Sequence, residues 1–470
     1  MEWDDIVYLS LLFSCIGFGH FLRQIKDKEC RKWVATAFGF TIVFIASGRH
    51  ILHPLFTVLV NSLIILYGNK RSIHVYSFAF TFTYLIFFRT TEYFGIPYPP
   101  SHTNLIQMIL TLKLVGLAFE VHDSAIAEKN KDSDIADDSP LIEPEVCRIA
   151  PPGFMDIFHY SFCYIGVLTG PYFKYRMYWD MFNAPFSELA PCKEATLERI
   201  MPVPLWAVAF LVSSYIFPLK YAMTDEFYNE RSMAYRVWYL YPSFFNFRMR
   251  MYIGMRLSEC VFTMSGLGAY PAFTQPKPGQ GPSTEFFALS RMMGAGLNSS
   301  QAKTEKYSFA AIYNIDSWGS DFQPTIRSSM KCWNMTIQYW LATYVYKRFP
   351  VKAYRMPVTF VVSSLWHGVY AGYYLCLCSV PFYLPAEDMF YRAFKNNSLP
   401  PLLHYPWVFL RYWWKMLHFS YWSMAFSLLR IDICLRYWSS IYFLPNVLTL
   451  VMYAIGLTVL KPSRAPVTSK

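Results

Sequence analysis

The stretch "LWHGVYAGYY" (residues 365–374) puts one imidazole, His367, in the middle of an apolar run extending from about Met356 to Leu384. A run of that length can cross a bilayer core, which calls for about 20 apolar residues in a helix. An ionisable side chain at that depth is tolerated where it faces protein or a watered cavity, so the pattern predicts a functional site on a membrane helix. The bland alternative is a neutral core histidine hydrogen-bonded to Ser363 or to a backbone carbonyl.

The rest of the chain supports a lipid solvent. Of 470 residues, 54% are hydrophobic and only 16% charged, too much apolar surface for one soluble core. Apolar windows recur near residues 6–22, 33–47, 52–67, 75–94, 103–119, 154–173, 202–221, 235–262, 333–346, 356–384, 406–429 and 440–460. The expected fold class is an all-α polytopic membrane protein, with roughly 10 to 12 transmembrane or re-entrant helices around an internal catalytic chamber. Arg89, Lys113 and Glu259 fall inside such windows and point to a polar interior.

The net charge of +11 does not describe a nucleic-acid protein. The cations are spread over short connectors such as "RQIKDKECRK" (23–32) and "GNKR" (68–71) and build no basic face. Basic connectors at the cytosolic leaflet account for them; the acidic start "MEWDD" and the basic segments after the first and third windows favour a lumenal N-terminus, and the basic tail "KPSRAPVTSK" favours a cytosolic C-terminus if the number of crossings is odd. The first apolar window lacks a basic leader and a small-residue cleavage site, so it is expected to be retained. Ten cysteines show no CxxC pair and no zinc spacing, which predicts reduced, buried thiols. Aromatics at 19% exceed what interfacial belts need and suggest a lined lipid cavity.

Two segments break the membrane pattern. Residues 121–152 carry eight Asp/Glu against three Lys/Arg, and residues 271–305 are rich in Pro, Gly, Ser and Thr; both read as solvated loops. With the short basic tail 461–470, they leave residues 1–470 as a single membrane-embedded domain. Neither segment is long enough to fold as a separate enzyme, which places the chemistry in the bundle.

On a continuous helix, Ser364, Gly368 and Gly372 form a small-residue stripe that admits a neighbouring backbone, with His367 beside it. Ser363 then lies one turn before His367 on the same face, within reach of its imidazole, while Tyr370 and Tyr374 follow at i+3 and i+7. The second polar anomaly is "MKCWNMTIQYWLATYVY" (330–346), where Asn334 and Gln338 share one helical face and Lys331 precedes them at the membrane edge. A buried carboxamide is costly unless paired. The sequon at Asn334 sits in a hydrophobic helical context, whereas those at Asn298 and Asn396 lie on polar connectors.

"WNMTIQYWL" (333–341) followed by "WHGVYAGYY" (366–374) resembles the paired signature of the membrane-bound O-acyltransferase family, and the spacing from Asn334 to His367 fits it. "FCYIGVLTGPYFKYRMYWD" (162–180), "FFNFRMRMYIGM" (244–255), "YNIDSWGSDF" (313–322) and "LRYWSSIYF" (435–443) resemble the lysophosphatidylinositol acyltransferase branch, so the similarity spans nearly the whole chain. One departure is Ala371, where that branch usually has Pro; it leaves the histidine in register and bears on the local kink. The resemblance implies a multi-pass enzyme of the endoplasmic reticulum membrane, with His367 and Asn334 as its catalytic pair. It implies transfer of an acyl group from acyl-CoA, as co-substrate and without a further cofactor, to the free sn-2 hydroxyl of a lysophospholipid, most closely lysophosphatidylinositol. A polyunsaturated chain such as arachidonoyl is the acyl group that the resemblance suggests.

The chemistry of the residues agrees. A thioester already carries a good leaving group, so the site needs a base for an alcohol and a polar group at the developing oxyanion. A neutral His367 suits the first task. Asn334 suits the second, as an amide donor or as an anchor for the acyl chain. The phosphates of the inositol head group and of CoA call for cations: Arg248 and Arg250 in "FRMR", Lys174 and Arg176 in "FKYR", with Lys331 and Arg327 at the cytosolic mouth. Snorkelling or positive-inside anchoring is the alternative role for these side chains. Trp366, Tyr374 and Ser363, around the histidine, complete the candidate substrate contacts.

Other classes fare worse. A transporter would use Arg89, Lys113, Glu259 and His367 as pathway residues, but no inverted repeat is visible. None of the ten histidines has Asp five positions on, which excludes the His-x4-Asp glycerolipid acyltransferases, and GxSxG and HExxH are absent. Acyltransferases for choline, serine or ethanolamine lysophospholipids, or for proteins, share the motif pair and differ in the branch segments.

Overall fold

The computed structural model describes residues 3–132, 147–298, 300–393 and 400–458. The described residues are mostly helical, with one two-stranded antiparallel ribbon in which Tyr270 pairs with Ser308 and Pro271 with Tyr307. Three helical stretches, Lys28–Tyr67, Ser101–Lys129 and Cys192–Met223, are long and apolar enough to cross a membrane. A fourth arises if Ile431–Ser440 and Leu444–Thr458, bent by 65°, count as one broken span. The other apolar windows form helices that are shorter or carry charge, and the window 154–173 is helical only over Phe154–Phe162. The 33-residue helix Met233–Ser265 holds four arginines and Glu259, and Pro401–Leu428 holds Arg411 and Lys415. Arg248, Glu259 and Lys415 turn into the bundle, which is how a membrane protein accommodates such groups, while Arg250 stays exposed.

Two helices organise the molecule. Ser101–Asp132 is buried without interruption from Ile106 to His122 and packs against Leu52–Tyr67 and Ile73–Arg89. Hydrogen bonds pin these three together: Asn61 Nδ2 donates to Thr81 Oγ1 at 3.1 Å, Ser77 donates to Asn61 Oδ1 at 2.6 Å, and Gln107 Nε2 donates to Thr57 Oγ1 at 2.6 Å. The other organiser, Met233–Ser265, packs against Trp3–Leu22, Cys192–Ile200, Val203–Ile216 and Pro401–Leu428. Val203–Ile216 turns Leu205, Val208, Leu211, Val212 and Tyr215 outward, an apolar surface suited to lipid.

The acidic segment beginning at residue 121 is helical as far as Asp132, because the buried helix simply continues; residues 133–146 and the basic tail lie outside the described residues. Residues 271–305 are more ordered than a plain loop. They contain the ribbon residue Pro271, helices Phe286–Ala295 and Ser300–Thr304, and the 3-10 turn Gly296–Asn298, which carries one connector sequon. The other, Asn396, lies outside the described residues. All ten cysteines are free.

Candidate active site

A cavity of about 400 Å³ opens where several helices converge, within the size range of small-ligand sites. Met233–Ser265 contributes Phe244, Phe247, Met251 and Met255 from one face, and Pro401–Leu428 contributes Phe419, Trp422, Ser423 and Phe426. Arg355–His367 contributes Thr359, Ser363 and His367, spaced four residues apart and therefore stacked along one helical face. Asn334, Ile337, Gln338 and Leu341 complete the wall. The sequence candidates His367 and Asn334 thus meet at one chamber whose lining is otherwise largely aromatic and aliphatic.

His367 is the last residue of its helix. The chain breaks there: Gly368 is extended, and a new helix, Ala371–Leu377, begins three residues later. The expected continuous helix through Ser364, Gly368 and Gly372 is therefore corrected to two helices with a corner between them. The close approach survives in altered form, because Gly372 packs on the backbone of Ala425 and Leu429 and donates its N–H to Leu429 O at 2.7 Å. Ala371 occupies the first turn of the second helix, where Pro is also favoured, so the break forms with either residue. Phe426 meets the His367 ring edge-on at 5.1 Å between centroids, and Tyr373 lies at 5.8 Å. Among the described residues neither ring nitrogen has a hydrogen-bond partner. The expected reach of Ser363 to the imidazole is not realised, although both residues line the chamber.

Asn334 also departs from expectation. It is not on the face of a helix with Gln338; it precedes the helix Met335–Leu341 in left-handed conformation, φ 49° and ψ 45°. Asparagine tolerates that region better than most residues. Gln338 turns back instead, its Nε2 donating to the carbonyls of Met330 and Trp333 and closing the turn from which Asn334 projects. A neighbouring segment holds this turn: Ile315 bridges Trp333, Asp316 N–H donates to Cys332 O at 2.9 Å, and Met335 N–H donates to Asn314 O at 2.9 Å. A π-helical turn, Ala342–Tyr346, follows directly and places Ala342 and Tyr346 on the chamber wall. Such turns recur at functional sites.

Asn314 sets which way the Asn334 amide faces. Its Oδ1 accepts from Thr336 N–H at 3.2 Å and from Thr336 Oγ1 at 2.8 Å, so its other terminus is the donor, reaching Asn334 Oδ1 at 3.1 Å. Asn334 Oδ1 is thereby occupied, and Nδ2 has no partner among the described residues. Behind Asn314, buried Glu259 accepts the amide N–H groups of Asn314 at 2.6 Å and Ile315 at 3.0 Å while paired with Arg199 and Arg256. Glu259, a charge that the sequence placed in the membrane, is a bracket for the site. The "YNID" segment carried no local sign of this role.

The other candidates scatter. Arg248 is buried and ion-paired with Asp321, so its guanidinium is already occupied. Arg176 bonds Asp180 and the carbonyl of Arg148, both at about 2.8–2.9 Å, and lines a different cavity with Trp179 and Lys32. Lys174 is buried with its ammonium over the Tyr339 ring. Arg250 and Lys331 are exposed, and Arg327 pairs with Asp388 at 2.7 Å. Trp366 faces away from the chamber, donating its indole N–H to Met108 O at 2.9 Å. Tyr374 is half-buried and is not among the chamber residues. The Arg176–Asp180 pair is local, at i,i+4, but spacing between basic residues could not reveal the partners of Arg248 and Arg327, whose carboxylates come from distant parts of the chain.

Residues 97–429, which include the whole chamber, match the MBOAT, membrane-bound O-acyltransferase, family. The membrane-bound acylglycerophosphatidylinositol O-acyltransferase frj of Drosophila melanogaster is 39% identical over 471 residues, covering 97% of this chain and 92% of its own. The proteins of that activity named mboat7 in Xenopus laevis and MBOAT7 in Homo sapiens are both 36% identical. They cover 100% and 97% of this chain, and 97% and 94% of their own lengths. With the motif pair gathered at one chamber and the match extending across most of the sequence, the chain belongs to the membrane-bound O-acyltransferase family.

Proposed function

We propose that this protein transfers an acyl group from acyl-CoA to the free sn-2 hydroxyl of lysophosphatidylinositol. The observation that carries the reading is the meeting of His367 and Asn334 on one chamber lined largely by aromatic and aliphatic side chains, in a chain similar from end to end to enzymes named for acylglycerophosphatidylinositol. Residues 1–470 work in this reading as one membrane-embedded domain, in phospholipid remodelling at the endoplasmic reticulum. The aromatic and aliphatic walls suit the acyl chains of both substrates.

The chemistry follows from the two side chains. A ring nitrogen of neutral His367 accepts the hydroxyl proton of the lysophospholipid as its oxygen attacks the thioester carbonyl carbon. The carbonyl electrons move to oxygen, where Asn334 Nδ2 donates a hydrogen bond to the tetrahedral oxyanion. Collapse re-forms the carbonyl and breaks the carbon–sulfur bond. CoA leaves as thiolate and takes the proton from His367, so the products are the diacyl lipid and free CoA. The chamber's apolar lining keeps water from competing as the acyl acceptor.

The deciding assay offers purified enzyme an equimolar panel of lysophospholipids with one acyl-CoA, beside His367→Ala in the same membranes. Preferential acylation of the inositol lipid that disappears in His367→Ala at equal expression is the expected result. Preference for a choline or serine head group refutes the substrate, and full activity in His367→Ala refutes the base.

A further inference from the structure

Arg89 is a buried cation with no carboxylate partner among the described residues, at the end of the helix Ile73–Arg89. Its guanidinium points at the site from behind. Nη1 donates to Leu365 O at 2.9 Å, Nη2 donates to Trp366 O at 2.7 Å, and Nε donates to Asn104 Oδ1 at 2.8 Å. Leu365 and Trp366 immediately precede His367 in the last turn of its helix. The final carbonyls of a helix lack intrahelical partners and carry the negative end of its dipole. Gly368 N–H satisfies the carbonyl of Ser364 at 3.0 Å, and Arg89 satisfies the next two.

We propose that Arg89 is a positioning residue for the acyl transfer: it clamps the open end of the helix that carries His367 and holds the imidazole at the chamber. The proposal rests on the reading of His367 as the base. Several observations make the clamp specific to the base. The chain breaks at Gly368, so no following helical turn supports His367. Neither ring nitrogen is held by a hydrogen bond among the described residues, which leaves the backbone, with the packing of Phe426 and Tyr373, to aim the ring. The clamp is also braced, because Asn104 lies on the buried helix Ser101–Asp132, as does Met108, whose carbonyl accepts the Trp366 indole N–H. Lysine cannot reproduce a planar fork that reaches two carbonyls and a side-chain oxygen at once.

The test compares Arg89→Met and Arg89→Lys with wild type, using steady-state kinetics with lysophosphatidylinositol and acyl-CoA and a fluorescence-detected size-exclusion profile to score folding. A base displaced by about 1 Å loses about 100-fold in rate. Arg89→Met is therefore expected to retain a monodisperse profile and both KM values within about twofold while kcat falls by about 10- to 100-fold, with Arg89→Lys intermediate. Wild-type kcat in Arg89→Met, or an increase in KM alone, overturns the proposal. If Arg89→Met does not fold, Asn104→Ala decides, since it removes the brace and keeps the cation: a lower kcat at constant KM supports the clamp, and wild-type kcat overturns it. His367→Ala in parallel separates the two claims, because its retention of activity defeats the base assignment whatever the Arg89 variants do.

Discussion

Asn314 Nδ2 donates to Asn334 Oδ1 at 3.1 Å, which fixes the orientation of the Asn334 amide and leaves its own N–H₂ group without a partner among the described residues. The order of donors is imposed from behind, since Thr336 occupies Asn314 Oδ1 twice. Replacing Asn314 with Asp turns the donor to Asn334 into an acceptor, and Asn334 then rotates to present Nδ2 inward. The oxyanion loses its partner. Asn314→Asp is expected to lower kcat by about two orders of magnitude, the scale of one lost oxyanion donor, with KM little changed. An unchanged kcat in folded Asn314→Asp removes the orienting role.

The left-handed backbone of Asn334 decides how its own role should be measured. Asn334→Ala removes the amide and also forces a Cβ-bearing residue without a compensating side chain into φ 49°, at a cost of about 1–2 kcal/mol. Asn334→Gly removes the amide and keeps the conformation. We expect Asn334→Gly to fold as wild type and to lose about 10²–10³ in kcat. A rise in KM for acyl-CoA at constant kcat would make Asn334 an anchor for the acyl chain.

Much of this was legible before any coordinates. Membrane class followed from the apolar windows, and His367 and Asn334 stood out as polar groups in apolar runs, because burial of such groups needs a reason. What escaped was governed by contacts between distant segments. Arg89 was visible as a charge, but nothing near residue 89 indicates the carbonyls of residues 365 and 366. Periodicity placed His367 in mid-helix and Asn334 on a helical face, yet both stand at helix ends. Period counting assumes an unbroken helix, and the breaks at Gly368 and Asn334 are held by Leu429 and Asn314 from other segments and by the local turn that Gln338 closes.

The contact at Gly372 yields a stability prediction. A Cβ there would collide with the backbone of Ala425 and Leu429, atoms that cannot swing aside. Leu429 is itself held at φ 62°, a region costly for a branched side chain, and the N–H of Gly372 is the group bonded to its carbonyl. Gly372→Ala is expected to destabilise the enzyme by about 1–3 kcal/mol, as a lower thermal midpoint in detergent. Ala371→Pro, one residue earlier at a position where Pro fits, should leave the midpoint within a few degrees of wild type.

Arg248 gives a prediction that separates structure from substrate binding. The sequence offers it as a phosphate ligand, but its guanidinium is paired with Asp321, whose Oδ1 also accepts from Tyr252 at 2.7 Å. Buried Lys415 braces the same turn by donating to the carbonyls of Asp321 and Gln323. Arg248→Met leaves the partly buried Asp321 carboxylate without its cation and with Tyr252 as its side-chain donor, at a cost of about 1–3 kcal/mol, and should reduce the yield of folded enzyme. Adding Asp321→Asn removes the stranded charge. The double variant is expected to recover folded protein and to bind lysophosphatidylinositol with KM within about twofold of wild type, since a ligand-free ion pair contributes through the scaffold. A phosphate contact predicts the opposite: the double variant folds but its KM for the inositol lipid rises about tenfold or more, the loss of one charge-assisted hydrogen bond.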